Sequence, residues 1–236
     1  RHPHLVHDVV AIHLHRHLGH AEFGRRLLVE GALHHEGDHL AFPCGERGIT
    51  AADLTHLAWV HRDTLGAYDL ETRARFVNIR PTFTLHADAL HTYYVVRGVP
   101  INSFLQHLFP AEARFDLEFD ITHTLPCTWV LHFRAYEAAE QTEGAPTGRL
   151  IADTWTSQAV TPRDAESVDY YYSWGASRAC EFPGLSELLC DTLDGAFNED
   201  RRALEAQHLR WREKPDHPTI DIVHDAGPGR MLWLLD

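Results

Sequence analysis

The stretch Leu185–Arg212, LSELLCDTLDGAFNEDRRALEAQHLRWR, reads as one long helix that begins directly after Phe182–Gly184, FPG. At about 100° per residue from Leu189, the side chains of Leu185, Leu193, Ala196, Phe197 and Leu204 fall within one apolar stripe. Asp200 falls near the middle of that stripe, roughly 20° from Leu189. A carboxylate there should point into the protein, where it needs a cation or strong donors beside it or it takes up a proton. An arginine could serve, but Arg201 and Arg202 point elsewhere on the same helix. A metal is the sharper alternative.

What precedes the helix tells what it packs on. Short segments rich in β-branched and aromatic residues, separated by Pro, Gly and polar clusters, run from Thr72 to Arg178: TRARFVNIR, TFTLHADAL, HTYYVVRG, ARFDLEFDITHTL, TWVLHFRAYEAA, RLIADTWTSQAV and SVDYYYSWGASR. Seven strands with no helix between them imply a meandering antiparallel sheet, and Glu140–Gly148, EQTEGAPTG, reads as its clearest loop. Beyond the long helix, TIDIVHD suggests a terminal strand and GPGRMLWLLD a return to helix. The expected fold class is α+β: a short helix, a curved antiparallel sheet and a long C-terminal helix packed across it, with a cavity between helix and sheet.

The short helix carries a second set of polar groups. Asp53–His61, DLTHLAWVH, places a carboxylate and two imidazoles among Leu54, Leu57, Ala58, Trp59 and Val60. Asp53 and His56 share a helix face, so the carboxylate can orient the imidazole. His56 and His61 lie about 140° apart on an ideal helix and would converge on one ion only through a π-bulge or a break near Trp59. Two neutral imidazoles and a carboxylate form the facial triad of non-haem Fe(II) oxygenases, which leaves coordination positions open. His-x4-His alone has little specificity; together with the misplaced Asp200 it gains weight.

Composition narrows the partners. The chain has 236 residues, 44% of them hydrophobic, and a formal charge of −13, which argues against nucleic acid and anionic membrane surfaces. Its longest apolar runs fall far short of the roughly 20 residues a membrane span needs, and the start lacks an apolar signal region, so a cytoplasmic protein is expected. Residues 1–50 stand apart as an atypical segment: ten of the 20 histidines lie between His2 and His39. They read either as a metal-binding arm or as a displaced or misframed start. Cys44, Cys127, Cys180 and Cys190 show no metal-type spacing.

Residues Ala51 to Arg212 resemble the catalytic domain of Rieske-type ring-hydroxylating oxygenases, in particular the vanillate demethylase and dicamba monooxygenase group. That group's DLxHxxxxH helix, YFWGxxR strand and late EDxxxxEAQ helix are matched, in order, by DLTHLAWVH, YYSWGASR and EDRRALEAQ. The resemblance implies a helix-grip, Bet v1-like domain over residues 51–236, with His56, His61 and Asp200 as ligands of a mononuclear Fe(II). It makes Asp53 the catalytic carboxylate that links the iron to a Rieske cluster in a neighbouring subunit, and it places His132 and Gln158 on strands facing the substrate. It further implies O2 as co-substrate, hydroxylation or O-demethylation of an aromatic small molecule, and a possible homotrimer.

The family's [2Fe–2S] domain needs two Cys and two His, and Cys44 is the one cysteine ahead of the catalytic helix, so no such cluster is expected in this chain. Electrons are then expected from an external ferredoxin or reductase, or the chain is a truncated, inactive oxygenase. Two alternatives from other classes remain open: a non-catalytic helix-grip module holding an apolar ligand, and a histidine-rich metal-sequestering protein.

Overall fold

The computed structural model describes residues 40–41, 56–61, 63–66, 69–141, 143–163, 167–214, 225–227 and 229–230. Within them the elements run β1 (Leu40–Ala41), α1 (His56–Trp59), α2 (Leu70–Val77), β2 (Thr82–Leu85), β3 (Ala89–Val99), α3 (Ser103–Gln106), β4 (Phe115–Thr124), β5 (Thr128–Glu137), β6 (Leu150–Pro162), β7 (Ser167–Ala176) and α4 (Leu185–Glu213). The strands form one antiparallel sheet in the order β1-β7-β6-β5-β4-β3-β2, so every long strand pairs with its sequence neighbour. The expected meander with a long helix after it is therefore present, although α3 interrupts it between β3 and β4, where no helix was expected.

One expected strand is a helix. Thr72–Arg80 contains Phe76, Val77 and Ile79, which read as β-formers, yet Leu70–Val77 is α2. Local chemistry decides the matter: the Asp69 carboxylate caps the helix by accepting from Thr72 N at 2.7 Å. Glu71 and Arg75 add an i,i+4 pair at 2.9 Å on the exposed side. The suggested terminal strand at 219–225 and helix at 227–236 fall mostly outside the described residues, as do Asp53, Cys44 and the histidines between His2 and His39.

Alternation along β4 shows how the sheet is built. Phe115, Leu117, Phe119 and Ile121 point to the apolar face and join Tyr94 and Phe133 in the main core cluster. Asp116, Glu118 and Asp120 lie between them on the opposite face. There Arg97 pairs with Asp116 at 2.9 Å and Arg134 with Glu118 at 2.6 Å, so the buried carboxylates carry partners.

Helix α4 closes the apolar face at the β7 side. Gly184, at φ 84°, takes the left-handed conformation that starts the helix, which a side chain would resist. Leu185, Leu189 and Leu193 are buried with Trp174 of β7 in a second cluster. Among the described residues no helix is long and apolar enough to cross a membrane.

Leu189 is 1% exposed and anchors helix to sheet. Leu189→Ala is expected to lower unfolding stability by ~2–5 kcal/mol, read as a lower urea midpoint with an unchanged m-value.

Candidate metal centre

Helix α1 is only four residues long, and its brevity sets the site. Val60 N donates to His56 O at 2.7 Å, and the helix then stops. The next turn is organised around the carbonyl of His61, which accepts from Thr64 N at 3.2 Å, Leu65 N at 3.1 Å and Gly66 N at 2.5 Å. A Cβ on Gly66 would lie 2.2 Å from Leu57 O, so the turn closes only on glycine. Asn102 Nδ2 donates to Leu65 O at 2.8 Å, and Ser103 Oγ donates to Thr64 O, tying the turn to α3.

The break after Trp59 brings together two rings that a continuous helix would hold apart. The His56 and His61 ring centroids are 5.0 Å apart at an interplanar angle of 71°. Asp200 reaches both from α4: its Oδ1 lies 3.3 Å from His61 Nε2 and 3.9 Å from His56 Nε2. Arg201, next along the helix, donates its Nε to Glu205 at 2.9 Å.

His61 is 2% exposed and engaged on both nitrogens. Its Nδ1 donates to Glu199 Oε2 at 3.1 Å, and Thr64 Oγ1 donates to the same oxygen at 2.6 Å. Burial pushes the imidazole towards neutrality, but hydrogen bonds and attraction from Asp200 and Glu199 outweigh it and raise its pKa above 6.5. Glu199 and Thr64 did not stand out in the sequence. Glu199 lies within the EDRRALEAQ motif, but its bearing on His61 comes from tertiary contact.

The donor set fits a metal. One nitrogen from each of His56 and His61 and one oxygen of Asp200 all lie within 4.8 Å of one another. Around an ion with bonds of about 2.1 Å, adjacent ligand atoms sit about 3–3.5 Å apart, close to the 3.3 Å contact found here. An anion and two imidazoles in a largely buried corner, with a carboxylate fixing the far nitrogen of His61, is an arrangement that metal-binding histidines adopt.

The three residues help line a cavity of about 160 Å³ between α4 and the sheet. An apolar cavity of about 150 Å³ is enough to take benzene, so one small ring fits. Trp129, Leu131 and Phe133 line the cavity from β5, and Phe197 and Leu204 from α4. Gln158 also lines it, its Oε1 accepting from Tyr170 OH.

His132 does not share that wall. It alternates with Leu131 and Phe133 and so faces the opposite side of the sheet. There its Nε2 bonds Asp153 Oδ1 at 2.7 Å and its ring stacks on Trp155 at 3.8 Å. The expectation that His132 faces the substrate placed it one residue off the strand register.

A family model described as the vanillate O-demethylase oxygenase C-terminal domain matches residues 51–236. The chain belongs to that family. Among its relatives is the toluene-4-sulfonate monooxygenase system iron-sulfur subunit of Comamonas testosteroni, 27% identical over 188 residues, which are 78% of this chain and 52% of that protein. The chain spans about half the length of the curated relatives it matches. Among solved structures, dicamba monooxygenase bound to 3,6-dichlorosalicylic acid superposes with a TM-score of 0.66 at 15% identity, covering 83% of this chain and 55% of that one. The Pseudomonas putida CBB5 NdmA QL mutant with theobromine gives 0.53 at 14% identity, covering 85% and 48%. These likenesses carry the fold: the open antiparallel sheet and long C-terminal helix are those of this family's catalytic domains.

The His132–Asp153 pair supplies a test of the register. Asp153 is held below its ordinary value of 3.8, first by the His132 hydrogen bond. A depressed carboxyl stabilises the fold above its unfolded value, and that contribution is lost as pH falls through the folded value. His132→Ala is therefore expected to lower stability by ~0.5–1.5 kcal/mol at pH 6, a deficit that narrows below pH of about 4 in urea titrations. Metal binding should be unchanged by the same substitution.

Proposed function

We propose that this chain is the catalytic domain of a mononuclear Fe(II)-dependent oxygenase acting on an aromatic substrate. The observation that carries the reading is the convergence of His56, His61 and Asp200 in the lining of a largely apolar cavity sized for a single ring. Their chemistry, two imidazoles and one carboxylate, suits an iron that must keep positions open. Bound there, Fe(II) supplies the redox centre at which dioxygen is reduced and a substrate C–H bond is hydroxylated.

The chain's own residues prepare that chemistry. Glu199 accepts the His61 Nδ1 proton in a hydrogen bond, which leaves Nε2, 3.3 Å from Asp200 Oδ1, as the nitrogen that would hold an ion. Thr64 fixes the Glu199 carboxylate in turn. Phe119, Trp129 and Phe133 form an apolar wall that excludes water from the reacting end of a ring. Tyr170 holds the amide of Gln158, so that its remaining hydrogens can orient a polar group of the substrate.

The resemblance supplies the rest of the proposal. Asp53, outside the described residues, would carry an electron to the site from a Rieske cluster held by a partner, with a ferredoxin or reductase behind it. O-demethylation of a methoxylated aromatic is one form the hydroxylation would take: oxygen insertion into a methyl C–H gives a hemiacetal that collapses to a phenol and formaldehyde. A cytoplasmic homotrimer is the assembly this family resemblance suggests.

Anaerobic reconstitution tests the site. The full chain is expected to hold one Fe(II), Asp200→Ala little or none, and Glu199→Gln is expected to bind iron about 10–100-fold more weakly. Equal iron in parent and Asp200→Ala, or none in either, would leave a ligand-binding shell as the better account.

A further inference from the structure

A second cavity, of about 200 Å³, continues the first along the apolar face of the sheet. Leu185 and Leu189 line it from the start of α4, whereas Leu193, Phe197 and Leu204, further along the helix, line the first. The strands keep the same order. On β6 the first cavity takes Thr156 and Gln158 and the second Ala152 and Thr154; on β7 the first takes Trp174 and the second Ala176. Leu131, Thr156 and Trp174 form one cross-strand row, and Phe133, Thr154 and Ala176 form the next row on that face. The two cavities therefore lie end to end between helix and sheet.

Phe133 is the one described residue that lines both. It is 5% exposed, and its ring meets that of Phe119, in the first cavity, at 5.2 Å. Its row-mates Thr154 and Ala176 are small, so Phe133 is the only bulky side chain in that row. Trp174 of the first cavity also meets Phe104 of the second, edge-on at 5.2 Å and 71°. An aromatic layer thus stands where the two spaces would otherwise join.

The second cavity has the chemistry of a site for a hydrocarbon group. Its wall is apolar apart from Thr154, Cys180 and Asp153, and the Asp153 carboxylate is held by His132. Its volume exceeds the roughly 150 Å³ that takes benzene, so it has room for an alkyl chain or a further ring.

We propose that Phe133 is a specificity-determining residue: it closes the substrate pocket against the second cavity, holds the substrate to a single ring, and a smaller side chain there admits aromatics with an apolar tail. The proposal rests on the reading of the first cavity as the substrate pocket.

Isothermal titration of the full chain without O2, with and without Fe(II), tests it using 4-methylanisole and 4-butylanisole. The parent is expected to bind the butyl compound no tighter than the methyl one. Phe133→Ala should bind 4-butylanisole at least about tenfold tighter than the parent does, because each methylene that enters an apolar pocket adds severalfold, and should not improve 4-methylanisole. Phe133→Leu, which preserves an apolar core side chain should the alanine variant fail to fold, should show the same gain at about threefold. Adding Ala176→Leu fills the second cavity at a distance from Phe133, and is expected to abolish the gain in either variant while changing 4-methylanisole less than about twofold.

A parent that already binds 4-butylanisole about tenfold tighter than 4-methylanisole, no gain in the Phe133 variants, or a gain that survives Ala176→Leu would overturn the proposal. If 4-methylanisole binds and only the gain is missing, this proposal fails and the pocket reading stands. If neither compound binds any of the proteins, both fail.

Discussion

A carboxylate on the apolar stripe of the long helix is the constraint around which the site is arranged. Asp200 stands among Phe197, Leu204 and the cavity wall, where an isolated anion would be costly. The fold answers with two imidazoles brought from a segment more than a hundred residues earlier in the chain. The short α1, the turn closed on Gly66, and the tethers from Asn102 and Ser103 all act to hold those rings against α4. The sheet, for its part, supplies a platform stiff enough to keep helix and turn in register.

The two faces of that platform divide the labour. One face is apolar and forms the cavity; the other carries Asp116, Glu118, Asp120, Arg134 and Asp153 in paired ladders. Because side chains alternate along a strand, a single residue of register decides on which face a group lies. Leu131 and Phe133 line the cavity while His132 between them does not. The same rule places Gln158, opposite Trp129, inside.

The parts legible in the sequence were those governed by period and spacing. The stripe of the long helix exposed Asp200 as anomalous, and the 140° separation of His56 and His61 demanded a break near Trp59, which the structure shows. The strands from Phe115 to Ala176 followed from alternation and β-branched content. Residues Leu70–Val77 misled because Phe76, Val77 and Ile79 suggest a strand, whereas the cap at Asp69 and the Glu71–Arg75 pair favour a helix. Glu199, Thr64 and Asn102 were invisible for a different reason: each matters through a partner distant in sequence, and no local pattern marks such contacts.

The central claim is that His56, His61 and Asp200 share one ion. X-ray absorption at the iron K-edge of the anaerobically loaded full chain tests it most directly. The account predicts nitrogen and oxygen neighbours at about 2.0–2.2 Å, with the outer-shell scattering of two imidazoles that falls to one in His56→Ala. A spectrum without imidazole scattering, with sulfur neighbours, or unchanged by His56→Ala would contradict it.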